Sequence, residues 1–193
     1  FVAELVNAFQ HINVGDPLNP ETQMGAQINR HQADKILSYV QIAKEEGATI
    51  ACGGDYYTEN GCEKGSFVQP TLITNVTNDM RVAQEEIFGP VAVVIKFKTE
   101  DEVIALANQS TYGLGGAVWT KDIHRALRVA RSIETGRMWV NTYNHIPEGA
   151  PFGGYKQSGI GRENDKAILD DYSHTNNIMI NLNDAPSGFY PAK

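Results

Sequence analysis

Ala117-Val118-Trp119-Thr120-Lys121-Asp122-Ile123-His124-Arg125-Ala126-Leu127-Arg128-Val129-Ala130-Arg131-Ser132-Ile133-Glu134-Thr135-Gly136-Arg137-Met138-Trp139-Val140-Asn141 reads as strand, helix and strand in succession. Ala117 to Thr120 is a short apolar run. Asp122 opens a helix to about Thr135 that turns Ile123, Ala126, Leu127 and Ala130 inward; Gly136 stops it, and Met138 to Asn141 is the next strand. Short apolar strands separated by helices, rather than strands alternating with polar residues, predict parallel pairing with helices packed on the sheet.

The same alternation extends upstream. Phe1, Leu5 and Phe9 recur at helical spacing until Gly15-Asp16-Pro17-Leu18-Asn19-Pro20 forbids continuation. A second helix is predicted from Asn29 to Glu46, with Ala33, Ile36, Leu37, Val40 and Ala43 on one face and Gly47 as its stop. Strands are predicted at Thr49 to Cys52, at Phe67 to Val76 with an interruption at Pro70, and at Val91 to Phe97. Thr99 and Glu102 form a capping-box pattern before a helix carrying Val103, Ile104 and Ala107, ending near Tyr112-Gly113.

Downstream, Thr142 to Gly161 is too rich in Gly and Pro for a helix and too apolar for a floppy linker, so it is predicted to be an ordered functional loop. Glu163 to Tyr172 looks helical. Ile178, Ile180 and Leu182 alternate with Met179 and Asn181 as a late strand outside the main alternation, a type that often pairs elsewhere, including with another subunit. The fold class is α/β: a mostly parallel sheet flanked by helices on both faces, with a C-terminal oligomerisation strand.

The 193 residues carry 16 Lys plus Arg against 23 Asp plus Glu, a net charge of -7, so the overall field repels phosphate backbones and anionic lipid headgroups. Nucleic acid and membrane are excluded as partners. No apolar run approaches a bilayer span, no histidine falls in a metal spacing, and two cysteines in a chain of this size fit a reducing cytoplasm. The chain opens on Phe1 inside a helical pattern, and the expectation is that the natural N-terminus lies upstream.

Two motifs carry chemistry: Glu85-Glu86-Ile87-Phe88-Gly89-Pro90, and Pro151-Phe152-Gly153-Gly154-Tyr155-Lys156-Gln157-Ser158-Gly159-Ile160-Gly161-Arg162-Glu163. Adjacent carboxylates point in different directions and rarely serve one reaction centre, so the plainer reading of Glu85-Glu86 is a solvated charge run. What raises them above that is the buried strand they precede, which puts them at the entrance edge of a sheet, where α/β proteins bind ligands. Gly159-Ile160-Gly161-Arg162-Glu163-Asn164 begins like a dinucleotide fingerprint but has Asn where the third glycine belongs. Its glycines read instead as tight turning before a helix.

With Val14-Gly15-Asp16-Pro17, Gly25-Ala26 and Gln69-Pro70-Thr71, these motifs make the chain similar to NAD(P)-dependent aldehyde dehydrogenases along essentially its whole length. The resemblance implies that Glu86 holds the hydroxyls of the nicotinamide ribose and that Phe88 packs by the nicotinamide ring; a carboxylate can accept two hydrogen bonds from a vicinal diol. It also implies that Asn144, His145, Ile146 and Phe152 line a tunnel for a small aldehyde. Residues 1–175 would be the C-terminal part of the catalytic domain and 176–193 an oligomerisation arm and tail, with 176–182 making a homodimer or homotetramer.

That family needs a thiolate to attack the carbonyl, giving a thiohemiacetal that surrenders hydride, and a general base to release the acid. Cys52 reads as a buried core thiol, and Cys62 sits in a polar loop beside Glu63, which would raise its pKa. Neither lies in a sequence like the family's nucleophile motif. No catalytic residue and no metal ligand are therefore assigned in this chain, and the nucleophile, general base and cofactor-binding domain are expected outside it. The expectation is a fragment of an oxidoreductase, inactive alone. The alternatives are a non-catalytic assembly module with the same sheet and arm, and, more weakly, a related acyl-phosphate reductase.

Overall fold

The structure, a computed structural model, describes residues 1–182 and Gly188. The elements run α1 (Val2–Gln10), α2 (Arg30–Glu45), β1 (Thr49–Cys52), β2 (Thr71–Thr74), α3 (Arg81–Gln84), β3 (Val91–Val93), α4 (Glu100–Asn108), β4 (Tyr112–Gly113), β5 (Gly115–Val118), α5 (Ile123–Ser132), β6 (Arg137–Val140), β7 (Tyr155–Lys156) and α6 (Ile168–Asp171). They fall into two compact units, the first Phe1–Thr111 with Leu127–Ile133, the second Tyr112–Ala126 with Glu134 onward.

In the first unit α2 starts where Asn29 can cap it: the Asn29 side chain accepts the Gln32 amide at 2.9 Å. Its inward face is Ala33, Ile36, Val40 and Ala43, all buried, with Leu37 only half-buried. Ala33, Ile36 and Ala43 pack with Val68, Ile73, Val76, Val82 and Ile87 into one core. The capping box at α4 is a variant. Thr99 accepts the Glu102 amide at 3.1 Å, but the Glu102 carboxylate reaches back to the amide of Lys98, at 2.7 Å, rather than to that of Thr99.

The sheet of this unit has the order β1-β2-β3, with β1 antiparallel to β2 and β2 parallel to β3. In the second unit β5 and β6 pair in parallel, with Gly115 opposite Arg137 and Val118 opposite Val140, and β4 pairs antiparallel with β7. The α/β class and the parallel pair on either side of α5 stand. The single mostly parallel sheet does not: three sheets form among the described residues, with as many antiparallel as parallel pairings. Residues 53–70 contain no helix that could carry the chain across the sheet, so β2 returns beside β1 in the opposite sense.

One further expectation is corrected. The helix expected at 163–172 is reduced to α6, because Phe152 and Glu163 exchange backbone hydrogen bonds at 3.0 and 2.8 Å and Asn164 is left-handed at φ 68°. The segment expected to pair with another subunit pairs with no strand of this chain: residues 173–182 have no regular secondary structure, and Ile178, Met179, Ile180 and Leu182 are exposed. A strand exists only by pairing its backbone groups, and these find no ladder among the described residues. Most of the expected tail, 183–193, lies outside the described residues.

Candidate functional site

The segment 85–90 connects α3 to β3. Ile87 anchors it in the core of the first unit, 8 % exposed, and Gly89 lies against α2 so closely that a Cβ there would stand 2.4 Å from Ile36 Cδ1 and 2.5 Å from its Cγ1. The Pro90 carbonyl accepts the Thr71 amide at 2.8 Å, so the segment enters at the amino ends of β2 and β3. That is the opposite edge from the carboxyl ends where ligands of open α/β sheets bind, and the sheet-edge argument for the two glutamates fails.

The two glutamates have different surroundings. Glu85 takes a two-pronged pair from Arg81, Nε to Oε1 at 2.7 Å and Nη2 to Oε2 at 2.9 Å, and accepts the Tyr39 hydroxyl at 2.7 Å. The Arg81 hydrogen bonds, then the one from Tyr39, hold its pKa down to about 2 from an ordinary 4.5. Arg81 is raised in turn, first by its hydrogen bonds to Glu85, and Tyr39 is raised by donating to the same carboxylate. Glu86 is exposed, and its carboxylate has no hydrogen-bond or ion-pair partner among the described residues.

Phe88 is 71 % exposed and adopts φ 58°, a left-handed backbone that bulky residues rarely take. The carbonyls on either side of that torsion, Ile87 O and Phe88 O, both accept from the Gln32 side-chain amide, at 3.2 and 2.9 Å. A carboxylate without a partner among the described residues and an open aromatic ring thus stand two residues apart on one turn. The donor set suits a ligand with a diol and a flat ring: the carboxylate has its lone pairs to give and the ring a bare face.

In the second unit the expected tunnel residues are tied to β6. Trp139, 9 % exposed, donates its indole N–H to the His145 carbonyl at 2.9 Å and meets Tyr143 edge to face at 5.2 Å. Arg137, two residues earlier and on the same side of the strand, donates Nη2 to Ala150 O at 2.8 Å and to Pro151 O at 2.7 Å. Its guanidinium lies over the Phe152 ring at 5.1 Å. One strand therefore holds both segments of the loop. Asn144 is left-handed at φ 56°; Asn144, His145 and Ile146 are exposed and Phe152 is half-buried.

The loop passes close to the start of β6: a Cβ on Gly136 would stand 1.6 Å from Gly153 O, so only glycine fits. Around Gly159-Ile160-Gly161, Ile160 is 99 % exposed, and both glycines have positive φ, 137° and 76°. Cys62 is 3 % exposed, and its thiol is pushed up by burial first and by Glu63 and Asp16 after it. The direction expected for Cys62 is right, but burial outweighs Glu63 as its cause. Cys52 is half-buried in β1 rather than a core thiol.

Sequence reading missed Gln32, Tyr39, Arg81 and Arg137 as supports. Arg81 and Glu85 at i,i+4 spacing could have been read as a pair. Gln32 could not, since 55 residues separate it from Ile87. Among the described residues no cluster of three or more His, Cys, Asp or Glu could hold a metal ion, and no helix is long and apolar enough to cross a membrane.

The chain is 50 % identical over 189 residues to a betaine aldehyde dehydrogenase from Brucella anthropi, covering 98 % of this chain and 39 % of that protein. A betaine aldehyde dehydrogenase from Staphylococcus aureus, solved in complex with NAD+, superposes with a TM-score of 0.91 at 43 % identity, over 99 % of this chain and 38 % of its own. A variant of an aldehyde dehydrogenase from Bacillus cereus gives a TM-score of 0.85 at 45 % identity, over 90 % of this chain and 34 % of its own. The chain thus spans about two fifths of the length of the relatives it matches. The model of the aldehyde dehydrogenase family matches residues 1–178, and the chain belongs to that family.

Proposed function

We propose that this chain is the C-terminal part of the catalytic domain of an NAD(P)-dependent dehydrogenase that oxidises a small aldehyde to its carboxylic acid. The observation that carries the reading is the pairing of Glu86, exposed and without a partner among the described residues, with the open ring of Phe88 on one turn. In this reading the Glu86 carboxylate accepts both hydroxyls of the nicotinamide ribose, and the Phe88 ring lies against the nicotinamide. When bound, the nicotinamide takes up the hydride from the aldehyde carbon. In the second unit, the family resemblance gives Phe152 and the Asn144-His145-Ile146 segment the role of holding an aldehyde's tail and keeping bulk water from it.

The attacking thiolate belongs to sequence outside these residues. Cys62, buried and with a raised pKa, is a poor nucleophile. Cys52 lies in β1, outside any sequence like the family's nucleophile motif, and in this reading the chain alone is inactive. Betaine aldehyde is the first substrate to try, since relatives carry that name. The exposed apolar run Ile178, Met179, Ile180 and Leu182 becomes a strand by pairing with a second copy, which makes the enzyme a dimer or tetramer of a cytoplasmic kind.

The test is expression of the complete reading frame beside the 193-residue chain, with NAD, NADP and a series of aldehydes. The complete enzyme should reduce cofactor and the chain should not. Glu86→Gln, which removes charge-assisted hydrogen bonds of about 1.5–3 kcal/mol, should raise the cofactor Kd on the order of 10- to 100-fold. An unchanged Kd would sink the reading of Glu86. A complete frame that neither turns over nor binds cofactor would favour the non-catalytic module, a reading that draws on the unactivated Cys62.

A further inference from the structure

We propose that Arg137 decides which aldehydes the site accepts, its unneutralised charge behind the Phe152 ring selecting neutral tails over cationic ones; the inference rests on the reading of Phe152 as a tunnel wall. Arg137 is half-buried on β6. Its Nη2 donates to Ala150 O at 2.8 Å and Pro151 O at 2.7 Å, and its Nη1 is buried with no acceptor among the described residues. The guanidinium carbon stands 5.1 Å from the centre of the Phe152 ring and 5.9 Å from that of Trp139. No carboxylate pairs with it among the described residues.

A cation drawn into a protein is ordinarily matched by a carboxylate. Here two neutral carbonyls and two ring faces stand in its place, and they solvate the charge without cancelling it. The positive charge therefore persists against the ring assigned to the wall. Phe152 cannot swing away from it, because its backbone exchanges hydrogen bonds with Glu163 at 3.0 and 2.8 Å while the Arg137 fork holds the two residues before it. A quaternary ammonium binds an aromatic face through the ring's electrons, and a ring already drawn toward one cation has less to give a second. Repulsion adds to this. A trimethylammonium head on the far face would stand roughly 10 Å from the guanidinium, 5.1 Å on one side of the ring and about 5 Å on the other. At that range like charges cost a factor of about 2 in water and about 15 at an effective dielectric constant of about 20. A neutral tail of the same shape meets neither penalty.

The experiment uses the enzyme from the complete reading frame and two aldehydes of one shape: betaine aldehyde, with a trimethylammonium tail, and 3,3-dimethylbutanal, with a tert-butyl tail. Neither tail can accept a hydrogen bond, so direct bonding by Arg137 cannot separate them and the ratio of their kcat/KM values reads charge. Comparing that ratio across variants cancels the aldehydes' own reactivity. Arg137→Met should raise the ratio of cationic to neutral about 3- to 10-fold. Arg137→Gln does the same and serves if the methionine variant folds poorly. Arg137→Lys keeps the charge and loses the fork; it should raise KM for both aldehydes and leave the ratio within about twofold of the wild type. Phe152→Ala should lower kcat/KM for both.

A ratio that stays put in the uncharged variants would overturn the proposal. So would equal shifts in Arg137→Met and Arg137→Lys, which would assign the effect to the placement of the loop rather than to charge. If Phe152→Ala leaves both kcat/KM values unchanged, the wall reading itself is wrong and the inference goes with it, an outcome distinct from a silent Arg137→Met beside a damaging Phe152→Ala.

Discussion

Ile36 is the residue through which the hydrophobic core shapes the candidate site, and replacing it should separate packing from chemistry. It is 0 % exposed, and its Cδ1, Cγ1 and Cγ2 stand 2.4, 2.5 and 3.1 Å from where a Cβ on Gly89 would be. Ile36→Ala removes three carbons; at about 0.8 kcal/mol each plus about 1 kcal/mol for the cavity left behind, the loss is about 3–4 kcal/mol. Gly89→Ala alone drives a methyl into all three carbons at once, which no single rotamer change relieves, and should cost about 1–3 kcal/mol. In the Ile36→Ala background the obstructing atoms are gone. The same Gly89→Ala change should then be neutral or stabilising, by filling the cavity and stiffening the unfolded chain by about 0.4–1 kcal/mol. Urea unfolding followed by far-ultraviolet circular dichroism on the four proteins gives the cycle. A coupling of at least about 1 kcal/mol is expected, and costs that add within about 0.5 kcal/mol would refute the packing of this turn on α2.

Acid should weaken the brace behind the turn. Glu85 has a folded pKa of about 2 against an ordinary 4.5, so its contribution is present above about 4.5 and lost as pH falls toward 2. The urea midpoint of the wild type should drop through that window and that of Glu85→Gln should drop less; parallel curves would show that the Arg81 pair contributes nothing. The thiols should differ in reactivity. Cys62, buried and with a raised pKa, should stay silent to a thiol reagent near neutral pH until urea is added, while half-buried Cys52 reacts first; a Cys62→Ser variant that loses the fast phase would reverse the assignment.

What the sequence made legible was what short-range physics decides. Thr99 is a cap that three residues of context reveal, and the structure gives it the expected hydrogen bond. The run from Ala117 to Asn141 also contains what its pairing needs, a helix between two apolar strands, and β5 and β6 are parallel. Where the reading failed, the deciding partner lay far along the chain. Nothing near Thr71 says that it will return antiparallel to β1, and nothing near Glu163 says that Phe152 will take its backbone groups. The apolar alternation at 178–182 is real, but a pattern cannot supply the ladder that would turn it into a strand.

The candidate site shows the same division within two adjacent residues. In sequence Glu85 and Glu86 are equivalent, and the solvated charge run was the plainer reading of both. In space, the Arg81 and Tyr39 hydrogen bonds occupy Glu85 and lower its pKa, whereas Glu86, one residue on, is left without a partner among the described residues. A carboxylate committed to three donors has little left to offer a ligand, so of the two glutamates it is Glu86 that keeps its lone pairs open. The core contact at Ile87 and the Gln32 amide, which donates to the Ile87 and Phe88 carbonyls, tie the turn that follows to α2. What separates the two acids is the asymmetry that α2, through Tyr39, and α3, through Arg81, impose on them.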